Sequence, residues 1–275
     1  MTLIQNIIVV LLAGLNAHAE PKVALTLTPI PELSHLGAAR LYLPCSYGKC
    51  MIDTGGQGNM MAVDESTKSL KAIRQVTVGM TTGKQVCDVL APIDLQLGGK
   101  TISQTPFVRC PVFPEVQSPM LGRPVFEGKA FAWNFNSGTF QWLDSHKPFP
   151  FPVYRSPETG WIEVDSSIDG VASKAGLDTG APISMVDSSY LSKHPEQFSP
   201  PLPIRMPPGV PPGTSFRNLL KPLLINGVPL TGTTIMVLDL KGALRDIPEV
   251  ILGINHLREL NWQIDLKESR FAISK

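Results

Sequence analysis

The sequence predicts an all-β protein built as two similar β-barrel-like lobes related by pseudo-twofold symmetry, with few short helices. Three observations lead there. Met51-Ile52-Asp53-Thr54-Gly55 returns as Gly176-Leu177-Asp178-Thr179-Gly180, and the landmarks downstream of each copy follow in one order. Each half carries a β-turn-β pattern centred on glycine, Gly98-Gly99 in the first and Asn226-Gly227 in the second. The chain also holds 26 prolines among 275 residues, and proline is excluded from helix interiors and central strands.

The repeat is read element by element. After the first Asp-Thr-Gly comes Val63-Asp64-Glu65-Ser66, and after the second Val186-Asp187-Ser188-Ser189; each Asp there suits a helix N-cap. Next come the hairpins, Leu95-Gln96-Leu97 turning at Gly98-Gly99, and Leu223-Leu224-Ile225 turning at Asn226-Gly227. Residues at both central positions of such turns take positive φ. Each half then closes on an apolar-apolar-Gly step, Met120-Leu121-Gly122 and Ile251-Leu252-Gly253, followed by aromatic strands around Phe140-Gln141-Trp142 and Trp262-Gln263-Ile264. Landmarks in one order at nearly one spacing mean two copies of a single β-rich unit. The copies differ at one place: Val76 to Val86 reads as a hairpin, whereas the second half has a proline cluster from Pro200 to Pro212. The expected organisation is a signal peptide over 1–19, an N-terminal extension over 20–37, a first lobe over 38–142, a proline-rich linker over 143–160 and a second lobe over 161–275.

Charge and cysteine content narrow the setting. A net charge of +1 gives no basic stripe for nucleic acid. Ile7 to Leu15 is apolar but too short to span a bilayer, and Ala17-His18-Ala19 suits signal peptidase, so secretion or a periplasmic location is expected, with cleavage after Ala19. Met1 to Asn6 lacks the Lys or Arg usual at the start of such a signal. Export makes the four cysteines legible as disulfides. Cys45 and Cys50 flank the turn-like Ser46-Tyr47-Gly48-Lys49, which favours a Cys45–Cys50 bridge across a hairpin and leaves Cys87 with Cys110; four free buried thiols are the alternative.

Two Asp-Thr-Gly tripeptides at equivalent places carry the chemistry. An apolar strand ending in Ile52 or Leu177 delivers each carboxylate to the centre, and Gly55 and Gly180 let the chain turn without a Cβ clash. The Thr54 and Thr179 hydroxyls are placed to bond the opposite loop. Pairing the copies brings Asp53 beside Asp178, where two carboxyls share a proton and titrate in separate steps. One serves as general base on water and the other as acid, with no metal or cofactor required.

These motifs, with Ile251-Leu252-Gly253-x-Asn255-x-Leu257, resemble those of the retropepsin-like and pepsin-like aspartic proteases over residues 38–275. The resemblance implies the acid protease fold in a single-chain, two-lobed form, and an aspartic endopeptidase activity with Asp53 and Asp178 as catalytic pair. It also implies a substrate-binding flap at Gly79, Met80, Thr81, Thr82 and Gly83, and a polypeptide substrate held in extended conformation. A fused pair needs no partner chain, so a monomer is expected. Gly56 and Ala181 follow the two tripeptides, so neither copy offers a hydroxyl to its carboxylate there, and the flap carries no Tyr. The competing reading is a catalytically degenerate protease fold kept as a peptide-binding module. A serine hydrolase lacks its Gly-x-Ser-x-Gly, and a zinc hydrolase its His-Glu-x-x-His. Trp133, Trp142 and Trp262 are expected in the core or at a sheet edge, His256 on the surface or a helix, and Asp265 at a turn.

Overall fold

The computed structural model describes residues 21–80, 83–111, 119–144, 149–156, 159–206, 210, 212–243 and 247–275. The signal sequence expected over 1–19, and Thr81 and Thr82 of the expected flap, lie outside these residues. Among the described residues strands dominate. The longest α-helix, Ser188–Lys193, has six residues, and short helical turns occur at Pro31–Leu36, Arg123–Val125, Pro195–Gln197, Leu240–Ala243 and Ile254–Leu257.

The two halves build two large curled sheets by the same rules. In the first, Ala39–Cys45 and Gly48–Ile52 form an antiparallel hairpin; in the second, Ile162–Ile168 and Val171–Leu177 do so. The inner strand of each hairpin then pairs in parallel with the short strand that closes its half, Met120–Leu121 or Val250–Leu252. The glycine turns fold as expected, with φ of 58° and 82° at Gly98 and Gly99 and 46° and 82° at Asn226 and Gly227. Asp187 caps the helix Ser188–Lys193 by accepting from the Ser189 N–H at 2.9 Å. Asp64 makes the equivalent bonds to Ser66 and Thr67, but the chain there forms turns instead of a helix.

A third sheet of six strands joins the halves. Ala130–Asn134 pairs with Thr139–Leu143 on one side and with Asn261–Asp265 on the other, placing Trp133 opposite Trp262. Val23–Ala24 and Phe151–Pro152 form its edges. Residues 20–37, read as an extension, therefore include strands that enter two sheets, Val23–Ala24 here and Thr26–Pro29 beside Ala39–Tyr42. The helical turn Pro31–Leu36 packs Leu33 against Ile183 and Phe216 of the second half. The proline-rich segment 143–160 likewise contributes the strands Phe151–Pro152 and Tyr154–Arg155.

One apolar core runs through both lobes and the joining sheet. Trp133, Trp142 and Trp262 all lie within it, and the indole N–H groups of Trp142 and Trp262 donate to the carbonyls of Leu97 (2.9 Å) and Leu257 (2.8 Å). Burying such a ring is favourable when its polar edge is satisfied. Asp265 caps a turn, accepting from the Lys267 and Glu268 N–H groups.

Both expected disulfides are formed, Cys45–Cys50 across a tight hairpin and Cys87–Cys110 between paired strands at the base of the long hairpin Ala72–Met80/Gly83–Leu90. They close chain segments of 5 and 23 residues. Loop-closure entropy then assigns about 2 kcal/mol to the first and about 3 kcal/mol to the second. Paired Cys→Ala variants unfolded in urea are expected to show that order. A larger loss at Cys45–Cys50 would contradict the entropic account.

Candidate active site

The closing strand of each half places its aspartate. Asp53 N–H donates to Leu121 O at 2.9 Å, and Asp178 N–H donates to Leu252 O at 3.0 Å. The chain then loops out and passes under the glycine that ends the closing strand. A Cβ on Gly122 would sit 2.4 Å from Gly58 O, and one on Gly253 would sit 2.5 Å from the Ile183 carbonyl carbon, so both positions require glycine. The Gly122 N–H donates to Asn59 Oδ1 and the Gly253 N–H to Ser184 Oγ, each at 2.9 Å. The next residue ties each loop down, Arg123 N–H to Gly56 O at 3.0 Å and Ile254 N–H to Ala181 O at 2.8 Å. Bond for bond, the two loops repeat each other.

The threonines lock the loops together. Thr54 Oγ1 donates to Leu177 O and Thr179 Oγ1 donates to Ile52 O, both at 2.8 Å. Each hydroxyl also accepts the N–H of the other threonine at 3.1 Å. Both side chains are fully buried, and these reciprocal bonds satisfy them. The grip fixes the separation of the residues immediately before it, which are the aspartates.

Asp53 and Asp178 face each other across this grip, close enough for each to act on the other's titration. Gly55 and Gly180 lie directly beneath the opposite carboxyl, since a Cβ would stand 2.5 Å from Asp178 Cγ and 2.4 Å from Asp53 Cγ respectively. Each carboxyl is also held by its own loop. Asp53 Oδ1 accepts from the Gly56 N–H (2.8 Å); Asp178 Oδ1 accepts from Gly180 (2.9 Å) and Ala181 (3.1 Å). Protein surrounds the pair closely, yet both residues keep an exposed edge. Burial, followed by the charge and hydrogen bond of Asp178, holds Asp53 well above the ordinary carboxylate range. Burial also raises Asp178, against the pull of its bonds to Asp53 and the loop N–H groups. The pair is thus disposed to carry one proton between two carboxyls at pH values where isolated aspartates are both ionised.

The hairpin Ala72–Met80/Gly83–Leu90 is present, and Gly79, Met80 and Gly83 form its last pairs, Gly79 with Lys84 and Met80 with Gly83. Among the described residues of the second lobe, Ser215–Asn218 occupies the matching place, with Ser199 and Leu202 N–H groups bonded to Asn218 and Phe216 carbonyls.

His256, expected on the surface or a helix, is on a helix. It lies on the short helix Ile254–Leu257 and is fully buried there. Its Nδ1 is 2.7 Å from Ser184 Oγ and its Nε2 is 2.9 Å from Gly232 O. Burial pulls its pKa down, so the neutral ring donates from Nε2 and accepts at Nδ1, bracing the Ser184 loop behind Asp178. Asn255 adds to that brace, accepting from Ser184 N–H at 2.7 Å and donating to Thr234 O at 2.9 Å. Sequence reasoning also passed over Arg123, which is buried next to the loop of Asp53. Aligning the two closing strands residue by residue would have exposed it, because its counterpart is Ile254.

No protein-family model and no curated protein matches the chain. The structure is similar to that of basic 7S globulin from soybean, with a TM-score of 0.55, covering 93% of this chain and 95% of that one at 13% sequence identity. At that identity the likeness speaks to fold alone. With the strand pattern described above, it gives an all-β, two-lobed acid protease fold.

Proposed function

We propose that the protein is an aspartic endopeptidase in which Asp53 and Asp178 share one active site. The observation that carries this reading is the dyad itself: two carboxyls from equivalent loops, facing each other across the threonine grip, each held by its own loop N–H groups and open at one edge. In the reaction the ionised carboxyl takes a proton from a water molecule lying against both. The water oxygen forms a bond to the scissile carbonyl carbon while the protonated carboxyl donates to the carbonyl oxygen. The tetrahedral intermediate then collapses, its C–N bond breaks, and a proton passes to the departing amine. Thr54 and Thr179 keep the two carboxyls in register, and Gly55 and Gly180 make room for them. On this reading the end of the hairpin Ala72–Met80/Gly83–Leu90 serves as the flap over an extended polypeptide, which binds by β-augmentation. The protein works as a monomer without a cofactor. The two disulfides and the apolar leader support secretion or a periplasmic site.

A second reading has its own support. The similar structure bears the name of a globulin, and Gly56 leaves Asp53 without the hydroxyl neighbour usual in the protease pattern. On this reading the chain binds extended peptides without cutting them. Incubating the oxidised, exported chain with a denatured peptide pool between about pH 3 and pH 7 separates the two. Internal cleavage mapped by mass spectrometry supports the peptidase. Saturable peptide binding with no product at any pH transfers the assignment to the binding module.

A further inference from the structure

The two halves anchor the loops of their aspartates with different side chains. Asn59 stands six residues after Asp53, and Ser184 stands six after Asp178. Their backbones are held alike, the Asn59 carbonyl accepting from Val108 N–H and the Ser184 carbonyl from Met236 N–H, each at 2.9 Å. The Asn59 side chain then makes two further bonds of 2.9 Å. Its Oδ1 accepts from the Gly122 N–H, and its Nδ2 donates to Pro106 O. Pro106 precedes Val108 by two residues, as Thr234 precedes Met236, so those two carbonyls are equivalent.

Serine has no second arm, and the second half divides the work. The Ser184 hydroxyl accepts from the Gly253 N–H at 2.9 Å, while Thr234 O takes its bond from Asn255 Nδ2, also at 2.9 Å. Asn255 Oδ1 joins the two by accepting the Ser184 N–H at 2.7 Å. This exchange brings in a hydroxyl proton that Asn59 does not have. Two acceptors lie within its reach, His256 Nδ1 at 2.7 Å and Asn255 Oδ1 at 3.0 Å. Gly232 O, 2.9 Å from His256 Nε2, can only accept, so Nε2 carries the ring hydrogen and Nδ1 of the neutral ring takes the Ser184 proton. The first half has buried Val125 where the second has His256, so the fold itself asks only for an apolar side chain there. Ser184 and His256 are both fully buried, and this serine–histidine pair therefore acts on the chain and not on a substrate.

The contacts run on to Asp178. Ala181 N–H donates to Asp178 Oδ1 at 3.1 Å, Ala181 O accepts from Ile254 N–H at 2.8 Å, and Pro182 O accepts from Asn255 N–H at 3.3 Å. Residues 181–184 are laced to residues 253–256, and the Ser184–His256 bond closes the far end of the lacing. We propose that His256 is a positioning residue for Asp178: by taking the Ser184 proton it fixes that hydroxyl oxygen as the acceptor for Gly253, and so holds the Ala181 N–H against the Asp178 carboxyl. The consequence for turnover rests on the peptidase reading; the consequence for the loop does not.

The test compares hydrogen exchange at two amides of one molecule, by NMR at neutral pH. Ala181 N–H reports the Asp178 loop, and Gly56 N–H, bonded to Asp53 Oδ1 at 2.8 Å, reports the other. His256→Leu fills the site without a hydrogen bond and is expected to speed exchange at Ala181 about tenfold relative to Gly56, the worth of one buried hydrogen bond. His256→Asn is smaller, but its Oδ1 can accept from Ser184, and it should keep the ratio within about threefold of the wild type. A space-filling role would rank these two variants the other way. Ser184→Ala should match His256→Leu, and it takes that variant's place in the comparison if His256→Leu does not fold. If the protein cuts peptides, kcat should fall about tenfold in His256→Leu with KM within about twofold. Equal acceleration at both amides, or a greater loss in His256→Asn than in His256→Leu, would overturn the proposal. A wild type that cuts nothing while the amides respond as described would remove the peptidase reading and leave the role of His256 standing. A wild type that cuts, with no selective change at Ala181, would do the reverse.

Discussion

Replacing either aspartate with asparagine is expected to remove peptide cleavage and, at the same time, to make the protein more stable at neutral pH. Asp53→Asn and Asp178→Asn should each lower kcat/KM by about 10³-fold, because general acid–base transfer is lost in either case. The stability gain follows from the raised pKa of both carboxyls. A carboxyl with a raised pKa in the folded state binds its proton more tightly there than in the unfolded chain. Stability is therefore undiminished below the ordinary value of 3.8 and is lost as pH rises from there through the folded pKa. Asparagine does not titrate, so each variant should melt a few degrees above the wild type at pH 7, with the gap closing as the pH falls towards about 4. The two readouts separate cases that activity alone confuses. Lost cleavage with raised neutral stability places both groups in one coupled pair. Lost cleavage with lowered stability would mean the substitution damaged the fold. Activity retained in either variant would place the catalytic group elsewhere.

The pairing of Asp53 with Asp178 was legible in the sequence because its support is local and repeated. Each aspartate follows an apolar strand and precedes a threonine and a glycine whose roles are fixed by sterics, and the structure places all six residues in one grip. The glycine turns were legible for the same reason, since positive φ at Gly98-Gly99 and Asn226-Gly227 is a property of those residues and not of the fold. The joining sheet was not. Trp133 and Trp262 read as separate core or sheet-edge aromatics, and nothing local says that their strands pair across the two halves. Residues 20–37 read as an extension because Val23–Ala24 is too short a strand to show a period. His256 read as a surface or helical polar residue because its burial depends on Ser184 and Gly232, which are distant in the chain. Arg123 was hidden differently. Arginine after a glycine turn looks solvated, and only its match to a buried isoleucine in the other copy marks it as unusual.

The glycines of the grip provide the sharpest geometric test, because they act on the opposite carboxyl and not on their own. Gly180→Ala would place a methyl group 2.4 Å from both Cγ and Oδ1 of Asp53, well inside van der Waals contact. Gly55→Ala would do the same to Asp178, at 2.5 Å from its Cγ. Neither clash can be relieved by turning a flexible side chain, since Asp53 is held by the Gly56 N–H and Asp178 by those of Gly180 and Ala181. The carboxyl must move or the threonine grip must open, and a displacement of about 1 Å in a reacting group costs on the order of 10²-fold. A loss of about 10²–10³-fold in kcat is expected for each, together with the roughly 1–3 kcal/mol that overpacking costs. Gly58→Ala is the matched control. It lies in the same loop, but a Cβ there meets nothing within 4 Å, so activity should stay within about twofold and stability within about 0.5 kcal/mol. If Gly180→Ala behaved like Gly58→Ala, Asp53 would be free to take up other positions, and the rigid shared dyad on which the peptidase reading depends would have to be abandoned.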